Sequence, residues 1–166
     1  MPKKEPLPLL DQRFWIWIPV LVIIIDQLTK IIADQLLQYH QPVELFPMFN
    51  FTLMYNKGAA FSFLASAGGW QRWFFLILSA VVSLILYNWL RKLKTSQKLQ
   101  AIALALILGG ALGNLIDRAV YGHVIDFIDV YFRQHHWPAF NIADSSIFVG
   151  AILLIYDTLK NPHEDS

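Results

Sequence analysis

Two aspartates in this chain stand where a carboxylate needs a reason. Asp126 lies in YGHVIDFIDVYF, enclosed with Asp129 by Val124, Ile125, Phe127, Ile128 and Val130. Asp144 lies in NIADSS, at the mouth of the apolar run IFVGAILLIY. Burial in an apolar slot disfavours the charged form, so such a carboxyl holds its proton more tightly. Two carboxylates a few ångströms apart in low dielectric cannot easily both ionise. They share a proton, one as base and one as acid, and can activate a water against an amide carbonyl. Taken alone, Asp144 reads as a helix N-cap, accepting from unpaired backbone N–H groups and offsetting the dipole. Its company shifts the balance. The preceding apolar run ends in GNLIDR, with Asn114, Asp117 and Arg118, and a short connection makes the ends of the two helices neighbours. Asp126 and Asp144 then meet at one depth.

Other polar residues suggest other chemistries. Asp26 and Lys30 are four apart on one helix face and read as a structural pair at the membrane boundary. Arg118 suits pairing with a carboxylate, because its guanidinium donates several hydrogen bonds at once. His123, Asp126, His135 and His136 are zinc-ligand types, but no HExxH or similar spacing accompanies them, and no metal is expected. His135 and His136 read as solvent residues beside Trp137. Ser145 or Ser146 with Lys30 would make a Ser–Lys pair on grounds of depth alone. The absence of cysteine removes disulfides, thiolate catalysis and Cys-based metal sites. The non-hydrolytic rival is a proton or ion path through intramembrane aspartates. A transporter would want polar residues at the midplane and an internal repeat, and neither is visible. No cofactor is called for, since water and two carboxylates suffice.

The elements that must hold these residues are membrane helices. The 166 residues are 56% hydrophobic and only 15% charged, too apolar to cover a water-facing surface. A net charge of +1 argues against a nucleic-acid partner. The length suits one domain over 1–166. Four apolar stretches approach the roughly 20 residues needed to span hydrocarbon. They predict helices over about 14–33, 70–90, 98–117 and 139–159. The first follows Lys3 and Lys4 as a signal peptide would, but Asp26 and Lys30 interrupt it and no small-x-small cleavage site follows, so it reads as a retained span. Lys3, Lys4, Arg13, Arg91, Lys92, Lys94, Lys98 and Lys160, eight of the thirteen Lys and Arg residues, fall on one side of an even number of spans. The positive-inside rule makes that side the cytoplasm and both termini cytoplasmic. Trp70, Trp73 and Trp137 on one side and Trp15, Trp17 and Trp89 on the other fit interfacial belts. On the far side, residues 42–64 alternate Val43, Leu45, then Phe49, Phe51, Leu53, Tyr55 with smaller or polar residues. That period predicts short strands, either a small sheet resting on the membrane surface or an ordinary extramembrane hairpin, with turn chemistry at Asn56-Lys57-Gly58. A second outer loop covers about 119–137.

The ordered set DQLTK (26–30), YNKGAAFSFL (55–64), GGALGNLIDR (109–118), GHVIDFID (122–129) and FNIAD (140–144) resembles signal peptidase II, the lipoprotein signal peptidase family. The resemblance runs over nearly the whole chain. It implies an aspartic peptidase of the bacterial inner membrane, built on four transmembrane helices, a small periplasmic sheet or cradle and a short outer helix within 119–137. It implies cleavage of diacylglyceryl-modified prolipoproteins on the N-terminal side of the lipidated cysteine. On this resemblance Asp126 and Asp144 are catalytic, and Asn56, Gly58, Asn114, Asp117, Arg118 and Asn141 support catalysis or substrate binding. Asp26 and Lys30 are structural. Membrane lipids and cyclic peptide inhibitors of the globomycin type are the further partners implied.

Overall fold

The computed structural model describes residues 9–58, 69–94 and 96–160, with side chains from Trp15 onward. Four helices carry the expected spans: α1 (Leu9–Leu36), α2 (Trp70–Leu90), α3 (Lys98–Val120) and α4 (Ile142–Lys160). Each is long and apolar enough to cross a bilayer. Large apolar side chains such as Leu21, Ile77, Leu84, Phe148 and Ile155 are exposed on them. In hydrocarbon this is the expected outward face, because lipid is as apolar as leucine.

Packing follows from small residues. More than half of the apolar stretch of α3 is buried, 56% against 11% in α2 and in α4, so α3 is the hub. Alanines and glycines at 101, 103, 105, 109, 110 and 113 line its buried surface. They let neighbouring backbones approach closely, which drives helix association where no hydrophobic effect acts. A methyl group on Gly113 would sit 2.6 Å from Asp26 Oδ2, and one on Gly109 would sit 3.0 Å from Pro19 Cα. On the α4 side a methyl on Gly150 would lie 2.7 Å from the Ala103 carbonyl.

A four-stranded antiparallel sheet in the order β1-β2-β3-β4 lies at one end of the bundle. Its strands are β1 (Val43–Phe46), β2 (Phe49–Asn56), β3 (Val124–Phe132) and β4 (His135–His136). The strands expected within 42–64 are present as β1 and β2; residues 59–64 of that stretch lie outside the described residues. The second loop differs from expectation. Where a short outer helix was implied within 119–137, the chain forms β3 and β4. The run VIDFIDVYF is rich in β-branched and aromatic residues, which suit a pleated surface. Val124 through Phe127 are all buried, so both strand faces are covered and the period-two signal disappears.

Two features of the sheet position the site. β2 gains one residue against β3 between Phe51 and Met54, which returns Asn56 opposite Val124 and Met54 opposite Asp126. The segment before α4 is sewn to β3: the N–H groups of Phe127 and Ile128 donate to the Phe140 carbonyl at 3.1 and 2.8 Å, and the Phe140 N–H donates to the Ile128 carbonyl at 3.0 Å. Asn141 therefore starts α4 directly beside Asp126.

Candidate active site

The start of α4 explains why Asp144 sits where it does. The Asn141 Oδ1 accepts from the Asp144 N–H at 2.8 Å, and the Asp144 Oδ2 accepts from the Asn141 N–H at 3.3 Å. This is a reciprocal capping box, with Asn141 as the cap and Asp144 three residues in. The expectation of Asp144 as N-cap is thus corrected by three residues. One oxygen of Asp144 is occupied by the helix start, and the other accepts from Asn114 Nδ2 at 2.8 Å.

Asn141 also ties the two aspartates together. Its Nδ2 donates to Asp126 Oδ1 at 2.7 Å, while Asn56 Nδ2 donates to Asp126 Oδ2 at 3.1 Å. Asn56 is oriented in turn by its own loop, since its Oδ1 accepts from the Gly58 N–H at 3.0 Å, an Asx turn. Asp126 is 2% exposed. Burial is the main cause that pushes its carboxyl up to about 7, with the nearby charge of Asp144 as the second. The donors Asn56 and Asn141 work against that rise without cancelling it.

Behind the pair lies a buried ionic cluster. Lys30, 1% exposed, is 2.8 Å from both Asp26 Oδ2 and Asp117 Oδ2 and donates to Asn114 Oδ1 at 2.9 Å. Asp26 accepts from the Ala143 N–H at 2.9 Å, and Asp117 accepts from the Ile125 N–H at 3.1 Å. The expected Asp26–Lys30 pair therefore exists and reaches the residues before both Asp144 and Asp126. Gln27 completes the cluster with a 2.7 Å bond to Asp117 Oδ1.

Several expectations change. Arg118 was expected to pair with a carboxylate, but the close ion pairs among the described residues do not include it. It donates instead to the carbonyls of Asn114 and Gly58 at 3.3 and 3.2 Å and lies over the Phe75 ring. The carboxylates nearest to it already have other donors. Asp129, three residues from Asp126, points to the opposite face of β3. There it accepts from Thr52, Asn50 and His136. Burial opposes its ionisation, but these bonds outweigh it and hold the carboxyl below the usual range. His136 is exposed as expected, yet it is paired rather than simply solvated. His123 packs on Tyr55 and Tyr121 instead, so the four zinc-type residues are not gathered. Burial pushes the His123 imidazole below its ordinary value. Ser145 and Ser146 bond backbone carbonyls, and Lys30 is held elsewhere, so no Ser–Lys pair forms.

Arg72 escaped the sequence reading. From the first turn of α2 it donates to the carbonyls of Arg118 and Ala119 at 3.2 and 2.9 Å, groups left unpaired at the end of α3. Its side chain packs under Gly122, whose φ of +78° suits a residue without Cβ. The only signal was a lone arginine opening an otherwise uncharged span.

The pair borders a cavity of about 730 Å³. Asn56, Asn114, Arg118, Asp126 and Asp144 form its polar end, and Trp137, Phe140, Ile147, Phe148 and Ala151 continue it as an apolar wall along α4. A ligand fitting this space is polar at one end and apolar along its length.

Four membrane-length helices and a small sheet at one end, with a buried Asp126 and a half-buried Asp144 beside an amphipathic cavity, define a multi-pass membrane protein. Its relatives agree. A family model described as signal peptidase (SPase) II matches residues 18–160. A lipoprotein signal peptidase of Alteromonas mediterranea is 52% identical over 152 residues, covering 92% of this chain and 84% of that protein. One of Burkholderia thailandensis is 56% identical over 146 residues, covering 88% and 87%. A bacterial membrane enzyme solved by the in meso method at 2.3 Å superposes with a TM-score of 0.81 at 36% identity, covering 92% of each chain. The chain belongs to the signal peptidase II family, peptidases that remove signal peptides from lipoproteins.

Proposed function

We propose that this protein is an aspartic endopeptidase of the bacterial inner membrane. It removes the signal peptide from diacylglyceryl-modified prolipoproteins, cutting on the N-terminal side of the lipidated cysteine. Asp126 and Asp144 form the dyad that activates water. The observation that carries this reading is Asn141, whose side-chain and backbone groups bond both carboxylates at the edge of the cavity. Two carboxyls so placed, one of them titrating near neutrality, can hold a single proton between them. Water adds to the scissile carbonyl as one carboxylate takes its proton and the other carboxyl protonates the carbonyl oxygen. Collapse breaks the C–N bond, and a proton passes to the leaving amine.

The cavity supports the substrate class. Its polar end suits the scissile peptide bond, and its wall along α4 suits the acyl chains and the signal helix. With both termini in the cytoplasm, the dyad lies near the periplasmic face, where a lipidated cysteine emerges from the bilayer. Cyclic peptides of the globomycin type would act by occupying the dyad. Carboxylates gathered at one end of the bundle favour hydrolysis over an ion path, which needs polar groups through the midplane.

The test uses purified protein in detergent with a diacylglyceryl prolipoprotein and with its unlipidated form. The expected result is cleavage of the lipidated form alone, before the modified cysteine. Equal cleavage of both forms would contradict the substrate assignment.

A further inference from the structure

We propose that Lys30, acting through the Asn114 side chain, sets the polarity of the carboxylate pair, so that Asp144 bears the charge and takes the proton from water while Asp126 bears the shared proton. This rests on the peptidase reading and assigns roles within it.

Hydrogen-bond direction carries the inference first. An ammonium only donates. Lys30 Nζ at 2.9 Å therefore forces the Asn114 carbonyl oxygen toward itself and turns the Asn114 NH2 toward Asp144 Oδ1, 2.8 Å away. That bond is the end of a chain polarised by a buried cation, and each bond in such a chain strengthens the next by about 10–30%. The other Asp144 oxygen accepts from the Asn141 N–H. Asp126 also has two donors, but the groups that orient them are neutral backbone amides, those of Gly58 and of Asp144. The two carboxyls are matched in number of donors and differ in what stands behind those donors.

One further feature acts in the same direction. Asp144 lies in the first turn of α4, where the helix dipole favours a negative charge, whereas Asp126 lies on a strand. The charges facing Asp144 are Asp26 and Lys30 from α1, Arg118 from α3 and Asp126 from β3. Asp26 is itself ion-paired with Lys30 and accepts from the Ala143 N–H.

In the step this implies, an Asp144 oxygen takes a proton from water as the water oxygen bonds to the carbonyl carbon, and Asp126 gives its proton to the carbonyl oxygen. On collapse the C–N bond breaks and Asp144 returns its proton to the amine nitrogen. One hydroxyl of the intermediate returns a proton to Asp126, and the pair is restored. Lys30 and Asn114 are positioning residues: Asn114 holds an Asp144 oxygen, and Lys30 acts through Asn114.

The test is the pH dependence of kcat/KM for lipidated substrate in wild type, Lys30→Met and Asn114→Ser. Both variants should move the acid limb to higher pH, by about one unit for Lys30→Met, where one unit is a tenfold change in proton affinity. The alkaline limb should move less, because Lys30 also faces Asp126 but orients neither of its donors. A loss of rate with both limbs unmoved, or an alkaline limb that moves as far as the acid limb, would overturn the assignment. Carboxyl 13C spectra of the folded wild-type protein with labelled aspartate give the same answer without turnover, with signals assigned by their loss in Asp126→Asn and Asp144→Asn. Asp144 should titrate at lower pH than Asp126, and the reverse order would overturn the polarity alone. Failure of the wild type to cleave would overturn the peptidase reading beneath it.

Discussion

At the scale of the residue, Asp126 carries a cost that stability measurements can read. Its folded value of about 7 lies above the ordinary 3.8, so the unfolded chain loses this proton first as pH rises. Between those values the folded state holds the extra proton, and stability falls with rising pH until the folded group has also ionised. Burying the charge costs a few kcal/mol at most, at about 1.4 kcal/mol per unit. Asp126→Asn should therefore have little effect on Tm at acid pH and raise it by several degrees at alkaline pH, about 2–4 °C per kcal/mol at this size. Thermal melts in detergent at two pH values check this, and an equal shift at both would deny a buried charge at this position. The residue types of the pair were legible in the sequence, and so was the i,i+4 partnership of Asp26 with Lys30. The link from Lys30 to Asp117 and Asn114 spans 84 or more positions, and no local pattern announces it. Asp144 was legible as a helix-start acid, but only the observed register shows that Asn141 is the cap.

At the scale of the element, α3 decides the geometry. It brings Asn114, Asp117 and Arg118 to the site, and its glycines let α1 and α4 approach closely enough for Asp26 to reach the Ala143 amide. Gly113→Ala would push a methyl against Asp26 Oδ2, an oxygen already held by Lys30. Overpacking of this kind costs about 1–3 kcal/mol. We expect a lower Tm and at least a tenfold loss of activity, because the start of α4 shifts with it. A variant with wild-type Tm and turnover would show that the close approach is unnecessary. The helices were legible because long apolar runs have few alternative readings. Strand β3 was not: it is buried on both faces, and its alternation is lost. Arg72 was invisible because its role depends on carbonyls left over at the end of another helix.

At the scale of the whole molecule, the even number of spans and the basic residues at 91, 92, 94, 98 and 160 predict one orientation. A reporter fused at the C-terminus should be active in the cytoplasm, and activity only outside it would reverse the topology and move the cavity to the wrong face. The combination of four membrane-length helices and a small sheet was legible in outline. The shape of the cavity was not, because α4, β2, β3 and the 137–140 segment meet only in the folded chain.

As a proton-sharing pair, Asp126 and Asp144 act as one unit in the proposed reaction. Single-turnover cleavage of a diacylglyceryl prolipoprotein by Asp126→Asn and by Asp144→Asn tests it most directly, once each variant is shown to be folded by its melting transition. Both should lose at least a thousandfold in rate, since neither half of a proton-sharing pair works alone, and the double variant should be no worse than either. Cleavage near the wild-type rate by either folded variant would contradict the account.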